Sequence, residues 1–269
     1  MIPPETMLYI YEIRGETGIV QDPPSSYIGL WNEEEFTYLF FTDPEDDFVE
    51  RLTATGITVT GRHEMTYQDW QTGLPPQGMT IGRFHFVPEN HPEPPTGALF
   101  LDPSVVFGDG NHPTTISCLR FLEEIISRES IDCMLDLGTG SGILALAAAR
   151  MGVRHIVAVD RNHLAIDTAR YNVRINSLES EIEIREGEAR LFIESRAELV
   201  AANLPFQVLR ELVPLRGVTS HRFWIVSGIN AEQGRVLKEL FTEQGFDIVS
   251  ERTDHPWITF VAENVARKQ

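Results

Sequence analysis

Three glycines fall within five residues in the segment Leu135-Asp136-Leu137-Gly138-Thr139-Gly140-Ser141-Gly142-Ile143. Glycine lets a backbone turn tightly and approach a ligand closely. The N-terminus of the helix expected to follow favours a negative group such as a carboxylate. A loop that cradles a pyrophosphate needs Gly-x-Gly-x-x-Gly or Ala. Gly138 and Gly140 meet the first two positions, but Ile143 stands at the third. Asp136, ahead of the first glycine, suits a ligand carrying an ammonium and a sulfonium better than one carrying a pyrophosphate. Twenty residues beyond Gly140, Asp160 closes the run HIVAVD, and a carboxylate at such a strand end can accept hydrogen bonds from both hydroxyls of a ribose. Taken singly, the loop is also compatible with a plain tight turn and Asp160 with a solvated acid. Together they imply a ribose-bearing cofactor. Glu188, in REGEA after the next strand, is placed either to meet an adenine amino group or to face solvent.

These residues need a frame. From about residue 115 the sequence alternates strand and helix patterns. A helix is expected over 115–128, then strands at 133–138, 155–159, 181–185, 198–202, 222–227, 246–252 and 257–262. Helices at 141–151, 163–176, 206–213 and 231–244 are interleaved with them. Such alternation implies a parallel, doubly wound sheet, whose ligands sit beyond the carboxyl ends of the strands. Ahead of it, residues 8–14, 36–41 and 57–60 read as strands and 45–54 as a short helix, a small α+β unit. Prolines 75, 76, 92, 94 and 95 suggest an irregular connector. The expected division is therefore 1–62 for the small domain, 63–96 for the connector and 97–269 for the large domain.

Composition narrows the partners. The net charge is −18, and residues 1–95 carry 16 acidic but only 4 basic side chains. A surface of that sign repels a phosphate backbone, which argues against direct nucleic-acid binding and is compatible with a basic protein partner. Lys238 and Lys268 are the only lysines. No stretch approaches the roughly 20 apolar residues of a membrane span. The start, MIPPETMLYI, has neither the basic nor the apolar part of an export signal. Two cysteines, Cys118 and Cys133, fit reduced core positions in a cytoplasmic protein. No metal-ligand spacing appears among the eight histidines and two cysteines.

An ordered set of segments, LDPSVVFGDGNHPTT at 101–115, LDLGTGSGILALAA, VAVD and AANLPFQVL, resembles the PrmA family, methyltransferases of large-subunit ribosomal protein eleven. The likeness covers about residues 98–262 and extends weakly to Trp70, Pro76, Gly78 and Ile81. It implies a doubly wound, seven-stranded, Rossmann-like methyltransferase sheet with a small N-terminal α+β domain of ferredoxin-like type that positions a protein substrate. It also implies S-adenosylmethionine as cofactor, with Thr115, Gly138, Asp160 and Asn203 as contacts beside Asp136, Gly140 and Glu188. Three departures stand out. Asp109 replaces a Thr in the segment before the loop, and Ala197-Glu198 stand where an Asp usually precedes the fourth strand. Only about a dozen residues, ETGIVQDPPSSY, are available for the helix that the family carries between its first two strands, too few for a full helix.

Methyl transfer from a sulfonium needs an unprotonated nucleophile in line with the methyl carbon. A lysine amine, with a pKa near ~10.4, must first lose a proton, which desolvation and a nearby positive charge favour. Asn203 is the candidate for orienting that amine, its side-chain oxygen and neighbouring carbonyls accepting the amine hydrogens. The competing structural roles are a helix cap for Asn203 and an N-terminal cap of the 115–128 helix for Thr115; His112 reads as a turn-fixing hydrogen bonder in preference to a base. The expected function is methylation of amino groups of a protein, a lysine side chain or an N-terminal amine, with a ribosomal protein as partner. A planar nitrogen acceptor is the alternative, because Asn203-Leu204-Pro205-Phe206 differs by one residue from Asn-Pro-Pro-Phe. A small-molecule acceptor and a non-catalytic cofactor-binding module are the others.

Overall fold

The computed structural model describes residues 2–3, 5–14, 22–33, 36–53, 58–70 and 74–267. The chain divides into two compact units. One holds Met1–Gly73 with Ser104–Val106 and Asn162–Leu164; the other holds Leu74–Pro103, Phe107–Arg161 and Ala165–Gln269.

In the first unit the strands β1 (Met7–Arg14), β2 (Tyr27–Glu33) and β3 (Phe36–Phe41) precede helix α1 (Asp46–Thr53), strand β4 (Thr58–Thr66) and a single helical turn, α2 (Tyr67–Trp70). The sheet order is β2-β3-β1-β4, with every neighbour antiparallel. This is the arrangement of a split β-α-β fold. Alternation along β1 sorts its side chains between two faces. Tyr11 and Ile13 join Leu39, Phe41, Phe48 and Val49, whereas Leu8 and Ile10 join Phe40 and Val105. The expected lack of a helix after β1 falls partly on residues 16–21, outside the described residues. Asp22–Ser26 form bends and turns. Strand β2 went unseen in the sequence because Gly29 and Asn32 are poor strand formers and a register shift between Tyr27 and Gly29 breaks its alternation.

The second unit opens with β5 (Met79–Ile81), β6 (Phe84–Val87) and β7 (Leu99–Phe100), which form a three-stranded sheet. The proline-rich stretch 63–96 is thus more ordered than its composition suggests. Its prolines flank the strands instead of interrupting them. Next come α3 (Pro113–Arg128), β8 (Cys133–Leu137), α4 (Ile143–Arg150), β9 (His155–Asp160), α5 (His163–Ile175), β10 (Ile182–Glu186), β11 (Leu199–Asn203), α6 (Phe206–Leu212), β12 (Phe223–Asn230), α7 (Ala231–Glu243), β13 (Phe246–Asp254) and β14 (Trp257–Asn264).

The large sheet runs β10-β9-β8-β11-β12-β14-β13. Five strands are parallel, but β14 is antiparallel to both β12 and β13. The expectation of a parallel sheet is corrected there. His255-Pro256 joins β13 to β14 as a tight hairpin, and a hairpin can only link antiparallel strands. Strand β8 is buried along its whole length. Met134 faces one core cluster, and Leu135 and Leu137 face the other. Burying such side chains stabilises by about 1.5–3 kcal/mol each. Cys118 and Cys133 are free and buried. Among the described residues no helix is long and apolar enough to cross a membrane. The strand order reverses between β8 and β11, so the loops after those two strands meet at the switch point where open sheets bind ligands.

Candidate active site

The loop after β8 turns through Gly138 and Gly140, at φ 73° and 56°. A Cβ on Gly140 would lie 2.4 Å from the Phe107 carbonyl oxygen, so no other residue fits there. The loop amides are already occupied within the fold. Gly138 and Thr139 donate to the Val159 carbonyl, Gly140 to Asp160 Oδ2 at 3.0 Å, Ser141 to the Phe107 carbonyl and Gly142 to the Thr139 carbonyl. A loop whose amides are satisfied in this way is not a phosphate nest. This agrees with Ile143 at the third motif position.

Asp136 is 1% exposed. Its Oδ2 accepts from Thr139 Oγ1 at 2.6 Å, and its Oδ1 has no hydrogen-bond partner of normal geometry. Burial pushes its pKa up to about 7. The nearby Asp160 charge contributes to that rise, while the Thr139 hydroxyl and the Ala145 amide oppose it. A carboxyl held this way gains from a cationic neighbour, because an opposite charge favours its ionised form.

Helix α3 starts two residues earlier than its apolar pattern indicates. Pro113 takes the first helical position, where its missing amide hydrogen is harmless, and His112 is the N-cap, its Nδ1 accepting from the Thr114 amide. Thr115 therefore lies inside the first turn and does not cap it. It is 1% exposed, and its hydroxyl has no hydrogen-bond partner. Leaving such a group unpaired costs about 1–3 kcal/mol. Next to it, Thr114 Oγ1 lies 2.7 Å from His112 Nδ1 and accepts from Asn203 Nδ2 at 3.2 Å. The His112 ring sits edge-on between Phe107 and Trp257, at 5.2 and 5.1 Å. Burial lowers its pKa against the opposing pull of Asp109. The turn-fixing role expected of His112 is the one observed.

Asn203 ends β11, and α6 is capped by Pro205 with no side-chain bond. The helix-cap alternative for Asn203 therefore falls away. Asp160 ends β9, half-buried, with Oδ2 turned to the glycine loop. Glu188 is exposed at the mouth of a short 3-10 turn and pairs with Arg190. The structure thus joins Gly140 to Asp160, and Asn203 to the first turn of α3. Three side chains that sequence reasoning missed tie these pieces together: Thr114, Ser141 and Asn172. Asn172, a carboxamide on the buried side of α5, and Asn176, just past its end, are four residues apart, a signal that points to partners across the fold.

The strand order and the placement of the glycine loop define a Rossmann-like methyltransferase. The chain belongs to the PrmA family: the profile described as "Ribosomal protein L11 methyltransferase (PrmA)" matches residues 24–265. A ribosomal protein L11 methyltransferase of Desulforamulus reducens is 30% identical over 94% of this chain and 92% of its own length. One from Bacillus cereus is 32% identical over 75% and 67%. Among solved structures, a ribosomal protein L11 methylase from Lactobacillus delbrueckii subsp. bulgaricus matches with a TM-score of 0.61 and 26% identity, covering 69% of this chain and 97% of that one.

Proposed function

We propose that the protein transfers methyl groups from S-adenosylmethionine to amino groups of ribosomal protein L11 or a similar basic protein. The observation that carries this reading is the pair of buried, unpartnered polar atoms, Thr115 Oγ1 and Asp136 Oδ1, in a fold with this glycine loop. Such atoms fit a polar, cationic ligand. Asp136 holds its ammonium, Thr115 donates or accepts at its polar end, Gly138 and Gly140 allow close backbone approach, and Asp160 takes the ribose hydroxyls. Glu188 stands on the loop that would meet the adenine. The bound cofactor supplies an electrophilic methyl on sulfur.

The chain's own task is then to present a neutral amine. Asn203 Nδ2 is held by Thr114, which leaves Oδ1 to accept an amine hydrogen and aim the lone pair. Positioning of this kind, together with exclusion of water, can supply much of the rate. The acidic N-terminal unit is assigned to gathering the basic substrate. The test is incubation with labelled S-adenosylmethionine and purified ribosomal protein L11, read by mass spectrometry of intact protein and peptides. Methylated lysine or N-terminal amine is expected. An unmodified L11 in the presence of enzyme that binds S-adenosylhomocysteine would move the reading to another acceptor.

A further inference from the structure

We propose that Ser141 and Asn172 are positioning residues that carry occupancy of the glycine loop into the Phe107–His112 segment and the first turn of α3, so that cofactor binding orders the side of the site that receives the methyl acceptor. The proposal rests on the reading of the loop as an S-adenosylmethionine site.

Both residues are fully buried, at 0% exposure, and both make their side-chain hydrogen bonds outside their own elements. Ser141 sits in the loop, yet its groups point out of it. Its amide donates to the Phe107 carbonyl at 3.0 Å and its hydroxyl to the Gly108 carbonyl at 2.6 Å. Two consecutive carbonyls of the 107–112 segment are therefore fixed by one residue of the cofactor loop. Asn172, on α5, completes the joint from behind. Its Oδ1 accepts from the Asp102 amide at 2.8 Å, and its Nδ2 donates both to the Asp102 carbonyl at 2.7 Å and to the Ser141 carbonyl at 2.9 Å. One carboxamide thus grips the backbone of Asp102 as a neighbouring strand would, while holding Ser141 in place.

Asn176, one helical turn on, grips Phe100 in the same bidentate fashion, at 2.9 and 2.7 Å, but does not touch the glycine loop. It anchors the chain leading toward the segment without joining that segment to the cofactor loop. Buried hydrogen bonds of this kind have few alternative partners. A shift of the loop on ligand binding is therefore transmitted to Phe107 and Gly108, and from there along the short stretch to His112 and Thr115.

Amide hydrogen exchange on the full-length protein tests this, with S-adenosylhomocysteine as probe. In the unaltered protein the ligand is expected to slow exchange in peptides spanning 107–116 by at least about tenfold, as local opening is suppressed. In Ser141→Ala the ligand should still bind within about threefold, but the slowing should shrink to less than about twofold, and kcat/KM for the protein acceptor should fall more than cofactor affinity does. Asn172→Asp, which keeps the acceptor and removes both donations, should behave likewise. Asn176→Ala should keep the full slowing. If Asn172→Asp does not fold, Ser141→Ala, which removes a single hydroxyl, still decides the matter. Ligand-linked slowing that survives in Ser141→Ala overturns the proposal, and so does an unaltered protein that binds the ligand with no slowing at 107–116. In the latter case the cofactor reading stands. Failure of the unaltered protein to bind the ligand overturns both.

Discussion

The N-terminal sheet and the carboxyl edge of the large sheet treat their carboxylates in opposite ways. In the first, acids sit in water: Asp46 pairs with Arg62 at half-exposed positions, and Asp43 and Asp47 are exposed. In the second, Asp136 is buried against the Thr139 hydroxyl with its other oxygen unpaired, and its pKa is pushed up to about 7. Exposed charges act over a screened distance of about 8 Å and steer encounter. A buried carboxyl acts only on what touches it, and strongly. The two regions are therefore suited to different jobs, recruitment and contact recognition.

The largest test of the contact side is Asp160→Ala. Losing hydrogen bonds to a charged acceptor should weaken S-adenosylhomocysteine binding by roughly 2–4 kcal/mol, measured by calorimetry. An unchanged affinity would remove Asp160 from the cofactor site. Asn203→Ala should lower kcat about a hundredfold, in the range seen when a preorganised hydrogen-bonding group is removed, with little change in cofactor affinity. Full activity would show that the Thr114–Asn203 bond only joins two elements.

Asp136 gives a pH test with a definite sign. Its pKa in the folded protein lies above the ordinary 3.8, so the stability it contributes is full below about 4 and is lost as pH rises toward 7. A cofactor ammonium that holds it ionised must release a proton on binding below about pH 7. Affinity should then fall as pH drops, approaching about tenfold per unit. Calorimetry in two buffers of different ionisation enthalpy reads the proton directly, and Asp136→Asn should abolish the release.

The smallest expected effect lies on the recruiting side. Asp43→Asn combined with Asp47→Asn should slow methylation of a basic protein only about two- to threefold at low salt, the difference vanishing as salt rises. A drop that persists in high salt would mean contact recognition there too, and the contrast between the regions would blur.

How much could be read from the sequence follows the range of the forces involved. Gly138 and Gly140 are legible because a left-handed turn demands them locally, and Asp160 because it closes an apolar strand. The doubly wound, seven-stranded sheet follows from alternation and family likeness. By contrast, Thr114 meets Asn203 across 89 residues, and Asn172 meets Asp102 across 70. No local pattern encodes such pairs. A helix cap was the competing role for Thr115 because the apolar helix pattern begins there, but His112 and Pro113 had already begun the helix. Strand β2 was hidden by its own irregularity, whereas the short gap before β14 already pointed to an antiparallel hairpin, a signal that the alternation of strands and helices overrode.

The satisfied amides of the glycine loop also bear on redesign. Many cofactor swaps in related folds are sought by changing the side chains that line a pocket. Here the donors that a nicotinamide or flavin dinucleotide would require at its diphosphate are backbone groups, and they are already committed to Val159, Asp160, Phe107 and Thr139. Apart from Gly140, whose acceptor is the Asp160 carboxylate, these amides are committed to main-chain carbonyls that point substitutions leave in place. Retargeting this scaffold would therefore mean rebuilding the main-chain path from Phe107 through Gly142, so the loop acts as a barrier to drift between cofactor classes as much as a seat for one of them.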